Sequence, residues 1–210
     1  MDSFPDQIVY VVDDDEDVRD SLQWLLESVG LQVVSFATAQ AFLDGYPAGQ
    51  GGCIVMDVRM PGLSGISAQK KLPEYQIDIP LIMISAHGNV DMAVTAMTQG
   101  AQTFIEKPFN DQTLLDHVQR ALSEDHAARE SLSRKQQLQA SYDSLTKREK
   151  QVCERVVQGM SNQEMADDLN INRKTIEGHR ANMMAKMDAG SLAELIQMAV
   201  VLGIVVSTGI

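Results

Sequence analysis

Four short apolar runs end at or just before a reactive side chain: Ile8 to Val12 before Asp13-Asp14, Cys53 to Met56 before Asp57, Leu81 to Ile84 before Ser85, and Thr103 to Ile105 shortly before Lys107. Runs of this kind are the pattern of strands buried on both faces. In an open parallel sheet, ligands sit outside the carboxyl ends of the strands, so the four ends predict one shared site. Carboxylates gathered there repel by roughly 4 kcal/mol for a pair ~4 Å apart at an effective dielectric of ~20, so they require a cation. Mg²⁺ suits the set, with Mn²⁺ as a substitute, because it takes one or two carboxylates, keeps waters and leaves positions for phosphate oxygens. Lys107 adds a point charge suited to phosphate, and the Ser85 hydroxyl can donate to a phosphoryl oxygen. A phosphoryl group is the implied guest. Asp57 is the candidate nucleophile, since a carboxylate can take a phosphoryl group to give an acyl phosphate. Singly, Asp13 to Asp15 would merely cap a helix from Asp17, and Asp57 would merely open a turn into Pro61-Gly62. No single cap or turn accounts for two acids, a hydroxyl and a lysine at four strand ends.

The elements that must position these residues follow from periodicity. Val18, Leu22, Leu25, Leu26 and Val29 recur at spacings of three and four before Gly30, which predicts a helix and its stop. Asn89 opens a second segment with Val90, Ala93, Val94 and Met97 on one face, closed by Gly100. With Gln32 to Phe36 as the remaining strand, the order is βαβα throughout, which implies a doubly wound sheet with right-handed crossovers. From about Asp111 to Tyr142 no proline or glycine interrupts the chain, which predicts a long helix. Leu114, Leu115, Val118, Ala121 and Leu122 suit packing on the sheet, whereas Ser123 to Ser141 looks solvent-facing and reads as a linker. Capping boxes at Thr146/Glu149 and Ser161/Glu164 then open two of four short helices in residues 143–210.

The chain has 210 residues, 44% hydrophobic and 22% charged, which favours two domains and disfavours global disorder. Its net charge of −12 is unevenly spread: residues 1–122 carry −11, residues 123–142 carry 0 and residues 143–210 carry −1. Within Ile171 to Met187, Arg173, Lys174, Arg180 and Lys186 face a single acid, Glu177, leaving a local +3. Met1 to Gln7 is acidic and polar, and the apolar stretch Ile196 to Val206 is too short to span a bilayer, so neither secretion nor a membrane is expected. Cys53 and Cys153 have no ligand cluster nearby, and a reducing cytoplasm fits.

The acidic constellation, in Val11-Val12-Asp13-Asp14-Asp15, Met56-Asp57-Val58-Arg59-Met60-Pro61-Gly62-Leu63-Ser64-Gly65, Ser85-Ala86-His87-Gly88 and Lys107-Pro108-Phe109, resembles the receiver domain of response regulators over about residues 1–122. The resemblance implies phosphate transfer to Asp57 from a phosphohistidine on a sensor histidine kinase. It implies Mg²⁺ held by Asp14, Asp57 and the backbone carbonyl of Arg59, with Asp13 acting through a water. It also implies that Ser85 is drawn to the phosphate and that Phe104 acts as an aromatic switch, altering the face of the fourth helix, fifth strand and fifth helix. Many relatives have Tyr at that position, so a hydroxyl-dependent signal is absent here. Lys107-Pro108 is expected to be a cis peptide, aiming the lysine inward. Arg59 and His87 border the site.

In the last third, a helix, a turn at Gly159-Met160, a second helix and a basic third helix form a helix-turn-helix pattern. Leu145-Thr146-Lys147-Arg148-Glu149, Ser161-Asn162-Gln163-Glu164-Met165-Ala166 and the run Arg173 to Met187 resemble the FixJ/NarL/LuxR type of tetrahelical DNA-binding domain, and with the receiver the whole chain resembles FixJ-like regulators. The resemblance places DNA contacts at Arg173, Lys174, Thr175, Glu177, Gly178, Arg180, Ala181 and Lys186. The four basic residues suit phosphates, giving salt-dependent affinity. Glu177 departs from the family pattern, in which that exposed recognition-helix position is commonly basic. It either repels phosphate, accepts from cytosine N4, or is a solvated charge. Met183, Met184 and Met187 suit a core. Val200, Val201 and Leu202 on the last helix offer apolar surface for a dimer.

The expected fold class is therefore α/β: a five-stranded doubly wound parallel sheet of the flavodoxin-like receiver type, joined by a long helical linker to a small all-α tetrahelical helix-turn-helix domain. The boundaries are 1–122, 123–142 and 143–210. The expected activity is a regulator phosphorylated on Asp57 that dimerises and binds promoter DNA, with RNA polymerase as a further partner the resemblance admits. It is a phosphoacceptor with slow self-dephosphorylation rather than a turnover enzyme. Three rivals stand beside it, one of them a reading in which the C-terminal helices are a protein-binding adaptor. A phosphorylation-independent DNA-binding regulator would keep the helices and ignore Asp57. An aspartyl-phosphate hydrolase is opposed by Asp57-Val58-Arg59, which lacks a second acid for leaving-group protonation, and by the want of a substrate cap.

Overall fold

A computed structural model describes residues 7–86 and 90–204. His87, expected at the pocket rim, and Asn89, expected to open a helix, lie outside the described residues. The chain divides into two compact units, residues 1–129 and 130–210.

In the first unit, strands β1 (Gln7–Val12), β2 (Gln32–Phe36), β3 (Gly51–Asp57), β4 (Leu81–Ser85) and β5 (Thr103–Glu106) form one parallel sheet in the order β2-β1-β3-β4-β5. Helices α1 (Glu16–Ser28), α2 (Ala39–Gly45), α3 (Gly65–Lys71), α4 (Val90–Thr98) and α5 (Asp111–Asp143) connect or follow them, with a short 3₁₀ turn at Leu72–Tyr75. Period-two alternation divides the strands between two cores. Tyr10, Val12, Ile54, Met56 and Met83 point to one, with Phe42, Leu43, Ala68 and Ala96 from α2, α3 and α4. Val9, Val11, Cys53, Val55, Ile82 and Ile84 point to the other, with Leu22 and Leu26 of α1 and Leu114, Val118, Ala121 and Leu122 of α5. Slipping any central strand by one residue would exchange the two sets, so burial on both faces fixes register.

One expectation gains an orientation and another needs correction. The apolar face of Val90, Val94 and Met97 on α4 is turned outward, with Val90 78% exposed; the helix packs instead through Ala96 and, partly, Met92. The stretch after Leu122 is not uniformly solvent-facing, because Asp125 is buried. Its carboxylate accepts from Gln7 Nε2, from the Gly52 backbone N–H and from Arg129 Nε, while the Arg129 terminal nitrogens donate to the Gly49 and Gln50 carbonyls. Gly52, with φ +150°, permits the approach, since a Cβ there would lie 1.9 Å from the Ile8 carbonyl oxygen. Composition missed this clasp because its two charges satisfy each other. The expected long helix runs from Asp111 to Asp143.

In the second unit, α6 (Lys147–Val157), α7 (Asn162–Leu169), α8 (Arg173–Met187) and α9 (Leu192–Val201) pack around Val152, Met165, Ile176, Met183, Met187 and Leu195. Both capping boxes form: Thr146 and Glu149 exchange side-chain-to-backbone bonds, as do Ser161 and Glu164. Asn170, at φ 54°, ends α7, and the Asn172 side chain caps α8 two residues later, a tight helix-turn-helix. No helix among the described residues is long and apolar enough to cross a membrane.

Candidate functional site

Residues Asp13, Asp14, Asp15, Asp57, Arg59, Ser85 and Lys107 line a cleft of about 260 Å³ at the carboxyl ends of β1, β3, β4 and β5. Because β1 and β3 are hydrogen-bonded neighbours while the chain leaves them toward opposite sides of the sheet, their ends form the crevice that this topology creates. Asp13 and Asp57 are buried, Ser85 is buried, and Asp14 is exposed at the rim.

The charge arrangement differs in one respect from repulsion awaiting a metal. Lys107 Nζ lies 2.6 Å from Asp13 Oδ2 and 2.8 Å from Asp57 Oδ1, so an ammonium already stands between two carboxylates. Burial pushes the Asp13 carboxyl above its usual range, against the hydrogen bond from Lys107. Burial also works against charge on Lys107, but its hydrogen bonds to Asp13 and Asp57 outweigh that and hold its pKa above the ordinary value. The lysine is thus locked as a cation. The Lys107-Pro108 peptide is cis.

Backbone supports complete the pocket. Arg59 N–H donates to Asp57 Oδ2 at 2.6 Å, Asp15 N–H donates to Asp13 Oδ1, and Arg19 donates to the Asp13 carbonyl. Gly65 opens α3 directly beneath: a Cβ there would stand 2.2 Å from the Asp57 carbonyl oxygen. The roles of Gly65 and Arg19 were not assigned from sequence. A glycine directly after the N-cap Ser64 was the available signal. Phe104 does not line the cleft; it is half-buried on β5, packed against the core on the α2–α4 face. Among the described residues no group of three or more acidic, histidine or cysteine side chains stands ready as a metal centre. The oxygen-rich set of Asp14, Asp57 and the Arg59 carbonyl nevertheless matches what Mg²⁺ accepts.

On α8, Arg173, Lys174, Thr175, Glu177, Gly178 and Ala181 are exposed, and Arg180 is half-buried. Three of the four basic residues have partners. Arg173 Nε donates to Glu177 Oε1 at 3.0 Å, Arg180 donates to Asn162 Oδ1 on α7, and Lys186 Nζ lies 2.7 Å from Glu149 Oε2 on α6. Lys186, expected on phosphate, thus supports the inter-helix packing by neutralising a buried acid. That hydrogen bond, followed by the Thr146 backbone N–H, holds the Glu149 carboxyl at about 2. Thr175 spends its hydroxyl and backbone N–H on Asn172.

Comparison with known proteins joins the two sites. Residues 9–119 match the response regulator receiver domain, and residues 143–199 match the luxR family of bacterial regulatory proteins. The transcriptional regulatory protein FixJ of Bradyrhizobium diazoefficiens is 44% identical over 191 residues, covering 91% of this chain and 93% of that one. The response regulator protein TmoT of Ectopseudomonas mendocina is 41% identical, covering 91% and 87%. Among solved structures, the response regulator StyR superposes with a TM-score of 0.86 at 40% identity, covering 92% of this chain and 98% of that one. Full-length FixJ from B. japonicum gives 0.58 at 43% identity, covering 95% and 98%. Two family matches in series and full-length relatives above 40% identity lead to one assignment: the chain belongs to the FixJ-like response regulators of two-component systems, with a receiver domain followed by a LuxR-type helix-turn-helix domain of transcription regulation.

Proposed function

We propose that Asp57 is the phosphoacceptor of this regulator. A carboxylate oxygen of Asp57 attacks the phosphorus of a phosphohistidine on a sensor histidine kinase, the P–N bond breaks, and the imidazole leaves to take a proton. Lys107 and Ser85 then meet the new phosphoryl oxygens, one with charge and one with a hydroxyl. Asp14, Asp57 and the Arg59 carbonyl would hold Mg²⁺, which receiver domains of this family generally bind, and Asp13 would act through a water. The metal supplies charge neutralisation for the incoming phosphoryl group. The observation that carries this reading is the single ammonium of Lys107 bridging Asp13 and Asp57 in an open cleft. It is an arrangement with a nucleophile, a fixed cation and room for a small anion.

Phosphate draws on Ser85, Phe104 switches, and the face of α4, β5 and α5 changes so that two receivers pair. The outward Val90, Val94 and Met97 supply the apolar surface that pairing needs. Residues 1–122 act as the receiver, 123–142 as the helical linker and 143–210 as the DNA-binding domain. Val200 and Val201 on α9, exposed with Leu192 and Ile196, suit a second dimer contact. Arg173, Lys174, Thr175, Glu177, Gly178, Arg180, Ala181 and Lys186 are the proposed DNA contacts, with Arg180 and Lys186 acting largely by holding α8 in place. Paired domains would favour half-sites about one helical turn apart on promoter DNA, with RNA polymerase as a further partner. The protein works in the cytoplasm as a phosphoacceptor and not as a turnover enzyme.

The test is salt-controlled gel-shift binding by wild type and Asp57→Asn, each with and without a small phosphodonor and Mg²⁺. The expected result is a donor-dependent gain in wild type alone. A shift from 1:99 to 99:1 active requires about 5.5 kcal/mol of differential stabilisation. Equal gain in Asp57→Asn, with phosphate found elsewhere by mass spectrometry, overturns the assignment of the acceptor.

A further inference from the structure

Arg173 is the first residue of α8, where the helix dipole is positive and a cation is disfavoured. Its ion pair with Glu177 runs in the weaker of the two orientations for an i,i+4 pair, with the basic residue nearer the N-terminus. Helix stability therefore gains little from the pair. Its geometry has a different use. Glu177 takes only the Nε–H of the guanidinium, and the terminal nitrogens keep four N–H donors. The arginine side chain is 65% exposed, so those donors are within reach of a partner. Further along the helix, Gly178 and Ala181 are exposed and carry almost no side chain, and a Cβ added at Gly178 would meet nothing within 4 Å. That surface lets the helix approach a groove floor closely. Arg180 and Lys186 are turned to Asn162 and Glu149 on the neighbouring helices, and Lys174 shows no ion pair among the described residues, so charge left for phosphate and charge spent on packing are separated on one helix.

We infer that Glu177 is a positioning residue that holds the Arg173 guanidinium for bidentate reading of a guanine, O6 and N7, in the major groove. The inference rests on the DNA-binding reading above and adds to it a base identity and a role for the one acid on the helix. Glu177 does not read a base. It fixes the plane of the side chain that does, and it discourages Arg173 from settling on a phosphate.

The test selects sequences from a randomised duplex pool with the full-length phosphorylated chain, using wild type, Arg173→Ala, Glu177→Ala, Glu177→Gln and the Arg173→Ala/Glu177→Ala pair. Each is also titrated against a mixed-sequence duplex at several salt concentrations. In wild type one half-site position should prefer guanine, and Arg173→Ala should lower that preference roughly tenfold. Glu177→Ala should lower it at the same position while raising mixed-sequence affinity, because an acid leaves and an arginine is freed for phosphate. Glu177→Gln, which keeps an acceptor for Nε–H, should retain most of the preference. In the double variant Glu177→Ala should change the base preference no further, although mixed-sequence affinity still rises because an acid has left. Loss of a cytosine preference on Glu177→Ala, persisting in the Arg173→Ala background, overturns the inference, as does an Arg173→Ala variant that keeps every guanine preference. A wild type with no salt-dependent duplex binding overturns the DNA-binding reading itself and the inference with it.

Discussion

In the acidic pocket Lys107 reaches a carboxylate 94 positions away and another 50 positions away, whereas on α8 Arg173 reaches an acid only four positions on. The first set is assembled by the sheet: its members come from four strand ends, with Asp13 to Asp15 at one, Asp57 and Arg59 at a second, and Ser85 and Lys107 at the others, the four ends lying far apart in the chain. The second set is assembled by one helix turn and lies in solvent. Charges drawn together by topology in a buried cleft act as a unit, and removing one leaves the others uncompensated. Exposed charges on a helix act singly, in increments set by solvent and salt. Tolerance to substitution should divide along the same line.

The largest expected effect comes from the one place where the DNA-binding unit behaves like the pocket. Glu149 is buried, capped by Thr146 and paired with Lys186, so Glu149→Ala leaves a cation without its partner and a helix without half its cap. Because the Lys186 side chain is 38% exposed and can rehydrate, the expected loss is about 2 kcal/mol, from the cap and the charge-assisted hydrogen bonds together. It should be seen as a lower midpoint for the helical unit in chemical denaturation followed by circular dichroism. The same group fixes a pH dependence. Its carboxyl is held at about 2 against an ordinary 4.5, so its contribution is complete above pH 4.5 and fades as the pH falls from there toward 2. Glu149→Ala should flatten that part of the stability profile; an unchanged profile would make the pair a bystander.

Gly65→Ala probes the pocket by shape and not by charge. The added methyl would stand 2.2 Å from the Asp57 carbonyl oxygen, which is backbone and cannot rotate away. A cost of about 2 kcal/mol is expected, since overpacking typically costs that much. Labelling of Asp57 by a phosphodonor should fall with it, read by intact-mass spectrometry. Full labelling and full stability together would show that the loop relaxes freely, and the cleft would then be less tightly assembled than its contacts imply.

The sequence carried the strand ends, the capping boxes, the long helix and the pocket members because each has a period or a spacing that burial and hydrogen bonding enforce. Asp13, Asp57, Ser85 and Lys107 were legible since a polar side chain ends or closely follows each apolar run. What could not be read was partnership across helices. Lys186 and Arg180 look on paper like the rest of a basic face, yet they are 37 and 18 positions from the groups that hold them. Asp125 and Arg129 stand four apart on one helix and satisfy each other's charge, and their further contacts to Gln7, Gly52, Gly49 and Gln50 lie in distant segments that leave no period. The outward turn of the α4 face was not legible either, because apolar spacing identifies a face without saying what covers it.

Metal addition gives a smaller, graded effect that should be confined to the pocket. A ligand that binds only the folded receiver stabilises it by about 1.4 kcal/mol for each tenfold excess over its dissociation constant, once in excess. Mg²⁺ should therefore raise the receiver's thermal transition in wild type, and Asp14→Ala should remove most of the rise without touching the Lys107 bridge. The transition of the helical unit should stay where it is. Equal stabilisation of both units, or of Asp14→Ala and wild type, would point to general ionic screening.

The smallest change reverses sign between the two regions. Gly178→Ala places on α8 the same methyl that Gly65→Ala places on α3, but here the methyl meets nothing within 4 Å. Alanine is the better helix former by about 0.5–1 kcal/mol, so the helical unit should gain stability while the pocket variant loses it. DNA is where the gain should turn into a loss, because the methyl would stand between the helix backbone and the base edges along the strip shared with Ala181. A variant both more stable and weaker in duplex binding would make Gly178 a residue kept for approach and not for folding. A variant that is more stable and binds as well as wild type would move the contact surface away from Gly178 and toward the Arg173 end of the helix.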